Sequence, residues 1–328
     1  MTRINITMQQ IQPSVISLDN IKDDDNKVRF WTGFPNYATF LAVFTFLLPR
    51  ATQMKYWRKD KECDEMKLNV NKDRKLSKID EFFMVMLRLK VGFLTPVLQH
   101  IFQVSAGFVS CVFNTWINLM YVDLKHLCEM PGKEVLHGNK SHVMGDFENV
   151  SIIIDCTEVF AERPGNLGVA KQMWSDYKHH ITYKWLIGLS PQMGVIYVSR
   201  MYGGRASDKF ITLKSDNFLE SLKYNEGVVM ADRGFVINAE LKQNGIELIT
   251  PSFKGVGRAQ MSESEINFSE KVARTRGHVE RVIQRIKTYH ILDGNLKMSM
   301  KDIQEQIFVV CAYLVNFQAP IVNERKCN

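Results

Sequence analysis

The hydrophobic pattern of this chain changes period once, and the change divides it in two. From Ser77 onward Ile79, Phe82, Phe83, Met86 and Leu87 recur at helical spacing. Val109, Val112, Phe113, Trp116, Ile117 and Met120 repeat that spacing further on. After about Val150 the apolar residues come in short β-rich runs instead: SIIIDC, TYKWLIGLS, GVIYVSRMY, GVVMAD and IELITP. Each run is bounded by Gly, Pro or charge. The period therefore predicts a helical region followed by a sheet.

The residues between these runs set the expected boundaries. Residues 1–29 are polar, carry the cluster Asp23-Asp24-Asp25 and read as a disordered arm. Residues 30–75 begin aromatic and apolar, read as a short helical segment, and pass into a charged stretch without periodicity, a solvated linker. Residues 76–130 read as a helix-turn-helix. Pro96 opens a helix ending near Phe102, and Ser105 caps the next one after the short link Gln103-Val104. Residues 148–320 hold the strands. The second and third are joined through PQMG as a hairpin, and helices lie at about 207–223 and 235–243. Three strands, a helix, a strand, a helix and a strand make an α/β fold: a ribonuclease-H-like mixed sheet with flanking helices, preceded by the small all-helical domain.

Composition narrows the class. The chain has 328 residues, 45% hydrophobic, enough for one large domain and a small one. A formal charge of +7 favours a polyanionic partner. The six cysteines are scattered without C-x-x-C, which fits reduced thiols and argues against structural zinc. The opening residues lack an apolar leader, and FLAVFTFLLP from Phe40 is too short to span a bilayer. The expectation is a soluble, intracellular protein with no membrane partner.

Two strand runs end on an aspartate: Ile152-Ile153-Ile154 on Asp155, and Val228-Val229-Met230 on Ala231-Asp232. If those strands are parallel neighbours, both carboxylates lie at one sheet edge, where ligands of open α/β sheets bind. Two such charges repel unless a cation sits between them, and Mg²⁺ and Mn²⁺ favour oxygen ligands. Taken singly, Asp232 reads first as a turn or cap residue. A third carboxylate, Glu280, lies in SESEINFSEKVARTRGHVERVIQRIKTYHIL, whose Ser262 and Glu265 form a capping-box signature. Val279, Val282, Ile283 and Ile286 give that helix a core stripe. Glu280 sits at the stripe's edge, with Arg276, Gln284 and Lys287 at helical spacing on its own face; a surface pair with Arg276 or Gln284 is the plainer reading. Lys271–Lys301 holds eight Lys or Arg against two Asp or Glu, which marks a basic face for a phosphate backbone.

The runs IIDCTEVFAERP, YKHHITYKWLIGLSP, VSRMYGGRASDKFIT, VVMADRGF and RGHVERVIQRIK, in that order, resemble DDE-type transposases of the Harbinger and insertion-sequence group. The similarity runs over about residues 30–320, including FWTGFP and the helix-turn-helix. The resemblance implies a nuclear transposase or endonuclease that cuts DNA phosphodiester bonds and joins strands. It implies a catalytic, metal-binding triad of Asp155, Asp232 and Glu280 and two divalent ions, Mg²⁺ or Mn²⁺. DNA is the implied partner; the residues offer Arg276, Arg281, Arg285 and Lys287 on the basic helix for its backbone, and Ser110 and Asn114 on the third helix of the helix-turn-helix either for weak sequence reading or for packing. A homo-oligomer and an accessory DNA-binding protein stay open. Gly277 departs from the family pattern R-x-H-V-E-R, and YNEG departs from its usual Gly-Asp. These departures support the alternative, a non-catalytic DNA-binding or scaffolding protein derived from such an enzyme.

The remaining polar residues have plainer readings. Asp208 is expected to cap the helix that follows it rather than to join the acidic edge. His179, His180 and His278 lack zinc-ligand spacing. Trp174, Tyr177, Tyr183 and Trp185, interleaved with Lys171, Lys178 and Lys184, read as core before base-stacking groups.

Overall fold

The computed structural model describes residues 16–56, 76–138, 141–224, 227–253 and 260–321. Most of the charged stretch read as a linker falls on 57–75, outside the described residues. The chain forms two compact units. A helical unit takes in the described residues up to Leu127, with Thr288–Asp293 and Met300–Ala319; a mixed unit takes in Cys128–Lys287 and Gly294–Ser299.

In the helical unit, part of the expected arm is ordered. Helices α1 (Leu18–Ile21) and α2 (Asp25–Thr32) are short, and α3 spans Tyr37–Ala51. The acidic cluster works as a cap: the Asp24 carboxylate accepts the amides of Asn26 at 2.9 Å and Lys27 at 3.2 Å. Its neighbours Ile21 and Val28 are buried, which anchors the segment. Helices α4 (Lys78–Val91), α5 (Thr95–Phe102) and α6 (Ala106–Leu127) follow. The Ser77 hydroxyl caps α4, Pro96 stands in the first turn of α5, and the Ser105 hydroxyl accepts the Phe108 amide at 3.2 Å. The α5 and α6 axes bend by 104° at their junction, within the range of a helix-turn-helix. Phe40, Phe82 and Trp116 pack ring against ring beneath these helices, with centroids 5.0 and 5.4 Å apart. Among the described residues no single helix is long and apolar enough to cross a membrane.

The mixed unit opens with helix α7 (Lys133–Gly138) and is built on seven described strands. These are β1 (Val150–Phe160), β2 (Trp174–Ser175), β3 (His180–Leu189), β4 (Val195–Val198), β5 (Tyr202–Gly203), β6 (Val228–Met230) and β7 (Glu247–Ile249). The sheet path runs β2-β3-β1-β6-β7, with β4 and β5 also pairing β3; it is antiparallel through β3 and parallel from β1 to β7. This is the ribonuclease-H-like order read from the sequence. Helix α8 (Leu167–Met173) precedes β2; α9 (Asp208–Lys214) and α10 (Phe218–Tyr224) separate β5 from β6, and α11 (Asn238–Gln243) separates β6 from β7.

One face of the sheet is a dry core, where Ile152, Ile154, Leu186 and Val229 meet Ile211, Phe218 and Leu241 from the flanking helices. Fully burying each such side chain is worth about 1.5–3 kcal/mol. Because side chains alternate along a strand, Ile153 and Asp155 belong to the other face, where helix α12 (Glu263–Ile286) packs on β1. The last long helix, α13 (Gln304–Leu314), is apolar almost all round and lies within the helical unit against α6.

Candidate active site

Sheet register brings Asp155 and Asp232 together. Strands β1 and β6 are parallel neighbours with Ile153 opposite Met230, so each aspartate lies two residues beyond the same paired position. Asp155 does not end its strand as the sequence suggested. Strand β1 continues to Phe160 against β3, where Asp155 stands opposite Ile187. The short strand is β6, and Asp155 sits where that neighbour stops. Asp232 does open a turn, since its carbonyl accepts the Phe235 amide at 3.0 Å. That bond uses the backbone and leaves the carboxylate outside the turn. It is no helix cap either, because α11 begins at Asn238 without a side-chain cap. Gly234 in that turn has no positive φ, and a Cβ there would meet nothing within 4 Å.

The two carboxylates differ in environment. Burial pushes the Asp155 carboxyl up to about 6. The Arg276 guanidinium and the Cys156 amide, which donates to Asp155 Oδ1 at 2.8 Å, oppose that rise; Asp208 and Asp232 add to it. Asp232 is half exposed and accepts a hydrogen bond from Arg276 Nη1 at 3.0 Å. Asp232, Arg233, Glu270 and Arg276 line an open cleft of about 500 Å³ together with Ser269, Pro251, Met261 and Ile266.

Helix α12 carries the remaining candidates. Its capping box forms as read, with the Ser262 hydroxyl accepting the Glu265 amide and Glu265 Oε2 accepting the Ser262 amide at 2.7 Å. The helix ends at Ile286, so the basic run to Lys301 is not one surface. Thr288–Asp293 and Met300–Ala319 belong to the helical unit. Glu263, Glu265 and Glu270 fill its first part, and five Lys or Arg with Glu280 fill the rest. That distribution complements the helix dipole at both ends. Arg276, expected among the phosphate-binding residues, is buried and pairs with Asp232. Glu280 is exposed, and its side chain has no ion-pair or hydrogen-bond partner among the described residues, so the surface pair with Arg276 or Gln284 does not form. Among the described residues no three His, Cys, Asp or Glu side chains converge closely enough to hold a metal ion. The sheet delivers two carboxylates of the expected triad side by side; the third stays on its helix.

Of the other basic candidates Arg281 is exposed, while Arg285 and Lys287 are half buried and lowered in pKa, burial being the first cause for both. Lys178 adds to the lowering of Lys287, and the charges of Glu158 and Asp155 oppose it. In the helix-turn-helix Ser110 is exposed and Asn114 is half buried.

On the opposite face of β1 the structure adds a group the sequence reading missed. Ser207, not Asp208, caps α9, its hydroxyl accepting the Phe210 amide at 3.1 Å. Asp208 pairs with Lys184 at 2.7 Å, and Lys184 lies 3.7 Å from Glu158, its cross-strand partner in register. Burial alone would lower the Lys184 ammonium, but Asp208 leads the charges that raise it. A signal was present, since Glu158 and Lys184 fall opposite each other once β1 and β3 are paired antiparallel. Gly204 brings this loop close: a Cβ there would lie 2.0 Å from Thr182 Oγ1. Among the interleaved aromatics, Tyr183 and Trp185 are core, whereas Trp174 and Tyr177 are exposed and Lys178 lies 4.6 Å above the Tyr177 ring.

Comparison with known proteins finds two matching regions. Residues 154–316 match the family model of the DDE superfamily endonuclease, and residues 74–126 match the helix-turn-helix of that superfamily. No curated protein matches the chain. Among solved structures the chain is similar to a cryo-EM structure of a piggyBac transposase synaptic complex with hairpin DNA. The identity is 11% and the TM-score 0.41, over 92% of this chain and 76% of that one.

Proposed function

We propose that this chain, which belongs to the DDE superfamily endonucleases through its catalytic-domain and helix-turn-helix matches, is a transposase-type enzyme that cuts DNA phosphodiester bonds. The observation that carries this reading is the register-matched pair Asp155 and Asp232 on neighbouring parallel strands. A partly buried carboxyl pushed up to about 6 by burial, beside a second carboxylate, is a site whose electrostatics favour a cation. All-oxygen donors suit Mg²⁺ or Mn²⁺. When bound, such an ion supplies Lewis-acid stabilisation of the charge that builds as a phosphodiester is attacked.

Glu280 is the third carboxylate of the proposal. Arg276, Glu280 and Lys287 are four and eleven positions apart, within about 40° of one another on the helix. Arg276 donates to Asp232 at 3.0 Å, so this face of the helix starts at the aspartate edge. Rotation of the unpartnered Glu280 side chain then completes the acidic set. Arg281, with Arg285 and Lys287, holds the DNA backbone, and Ser110 and Asn114 on α6 face duplex DNA. In this reading the protein works in the nucleus and joins strands as well as cutting them.

A second reading draws on the exposure of Glu280: a non-catalytic DNA-binding or scaffolding protein derived from such an enzyme. Incubating the chain with supercoiled plasmid in Mn²⁺ or in EDTA separates them. The enzyme gives nicked circles with Mn²⁺ alone. Plasmid that stays supercoiled in Mn²⁺ while still being bound supports the scaffold.

A further inference from the structure

The contact between Arg276 and Asp232 has an unusual construction. Arginine offers five N–H donors, yet among the described residues this guanidinium makes one hydrogen bond, from Nη1 to Asp232 at 3.0 Å, and its buried Nε has no partner. Side-chain exposure is 10% for Arg276 and 50% for Asp232. The charge is thus enclosed on the protein side and the carboxylate opens toward solvent. Arg276 is also the leading charge that opposes the rise at Asp155, so one cation serves both aspartates. A guanidinium fully committed to structure is ordinarily held by paired, bidentate bonds.

We propose that Arg276 is the chain's own cation at the aspartate pair, surrendered to a backbone phosphate of duplex DNA, so that divalent-ion loading depends on bound DNA. This rests on the reading that Asp155 and Asp232 bind a divalent cation. Like charges cannot share the pair at close range, so the guanidinium and the ion compete for Asp232. A DNA phosphate is the acceptor that fits the exchange, because it takes a planar fork of donors and adds negative charge beside the incoming ion. Without DNA, Arg276 stays on Asp232 and the ion binds weakly. With DNA, its side chain swings out of the pair by χ rotation while α12 stays in place. The arrangement keeps a nuclease unloaded until its substrate is present.

The test is Mn²⁺ affinity, read from the electron paramagnetic resonance of free Mn²⁺, on the full chain with and without a short duplex. Arg276→Gln is expected to bind Mn²⁺ about tenfold or more tighter than wild type without DNA, the scale on which a neighbouring opposite charge shifts binding at a carboxylate. Duplex is expected to tighten wild type more than it tightens this variant. Arg276→Lys keeps a charge on a shorter, single-point head and is expected to fall between them, which covers a glutamine variant that does not fold. Affinity at or below wild type in the folded variants overturns the exchange. Asp232→Asn isolates the underlying reading. If it abolishes Mn²⁺ binding while Arg276→Gln changes nothing, only the exchange fails. If it binds Mn²⁺ like wild type, the cation site fails and the exchange with it.

Discussion

The aspartate edge and helix α12 meet at one place but are specified in different ways. Asp155 and Asp232 are held by hydrogen-bonded register between β1 and β6, and a one-residue slip would turn either carboxylate to the opposite face. Glu280 is held by a helix whose rotation and slide come from packing Val279, Val282, Ile283 and Ile286. Packing tolerates small rigid shifts that a ladder does not. The difference explains why two carboxylates stand side by side and the third is exposed one turn beyond Arg276. It teaches that a site shared by a sheet and a helix is rigid on one side and adjustable on the other.

The sharpest way to break this comparison is to remove carboxylates one at a time. Asp155→Asn and Asp232→Asn are each expected to lower Mn²⁺-dependent plasmid nicking by more than the roughly 10–100-fold that losing an outer-shell partner costs. DNA binding should survive in gel-shift assays. Glu280→Gln is expected to lose nicking as severely despite its exposure. Wild-type nicking in that variant would move the third carboxylate elsewhere.

A second effect concerns stability and pH. The Asp155 carboxyl has an ordinary value of 3.8 and is pushed up to about 6 in the fold, chiefly by burial. Between those values the folded state binds more proton than the unfolded one, so stability falls as pH rises through that window. The loss is complete above about pH 6 and amounts to at most about 3 kcal/mol. Asp155→Asn should therefore be more stable than wild type in urea at pH 7.5, by an amount that shrinks toward pH 4. A constant difference across that range would show that the asparagine acts through packing.

The basic part of α12 gives a smaller, graded effect. Removing Arg281, Arg285 and Lys287 should reduce the slope of log K against log salt by about 0.9 for each phosphate left without its cation. The exposed Arg281 alone should account for the first such step. An unchanged slope in the triple variant would direct the basic face away from DNA.

The smallest expected change is at Gly277. Helix α12 runs through it without interruption, and a Cβ there would meet nothing within 4 Å. Gly277→Ala should stabilise the chain by about 0.5–1 kcal/mol in chemical denaturation. A destabilised alanine variant would mean that α12 uses glycine flexibility next to Arg276 and Glu280.

Much of this architecture is legible in the sequence because it depends on local pattern. The change of period marks the two regions, Ser77, Pro96 and Ser105 mark the helix starts, and two short apolar runs followed by Asp mark the sheet edge. What escapes is chemistry decided by register and side-chain reach. Asp208 stands beside a serine, and either residue type can cap; Lys184 across the sheet decides that Ser207 does. The acidic cluster at Asp23–Asp25 resembles a solvated arm in composition, yet Asp24 starts α2. Arg276 has the spacing of a phosphate ligand, and its burial against Asp232 follows only once α12 is laid on β1. Lys271–Lys301 reads as one basic helix until the chain leaves the mixed unit after Lys287.

The central claim is that the register of β1 and β6 builds a cation site from Asp155 and Asp232. The most direct measurement is anomalous diffraction at the manganese edge from crystals of the full chain grown with Mn²⁺ and a short duplex. The account predicts an anomalous peak between the Asp155 and Asp232 carboxylates, with the Arg276 guanidinium withdrawn from Asp232. Crystals with duplex bound, no manganese at the pair and the Arg276–Asp232 hydrogen bond intact would contradict it.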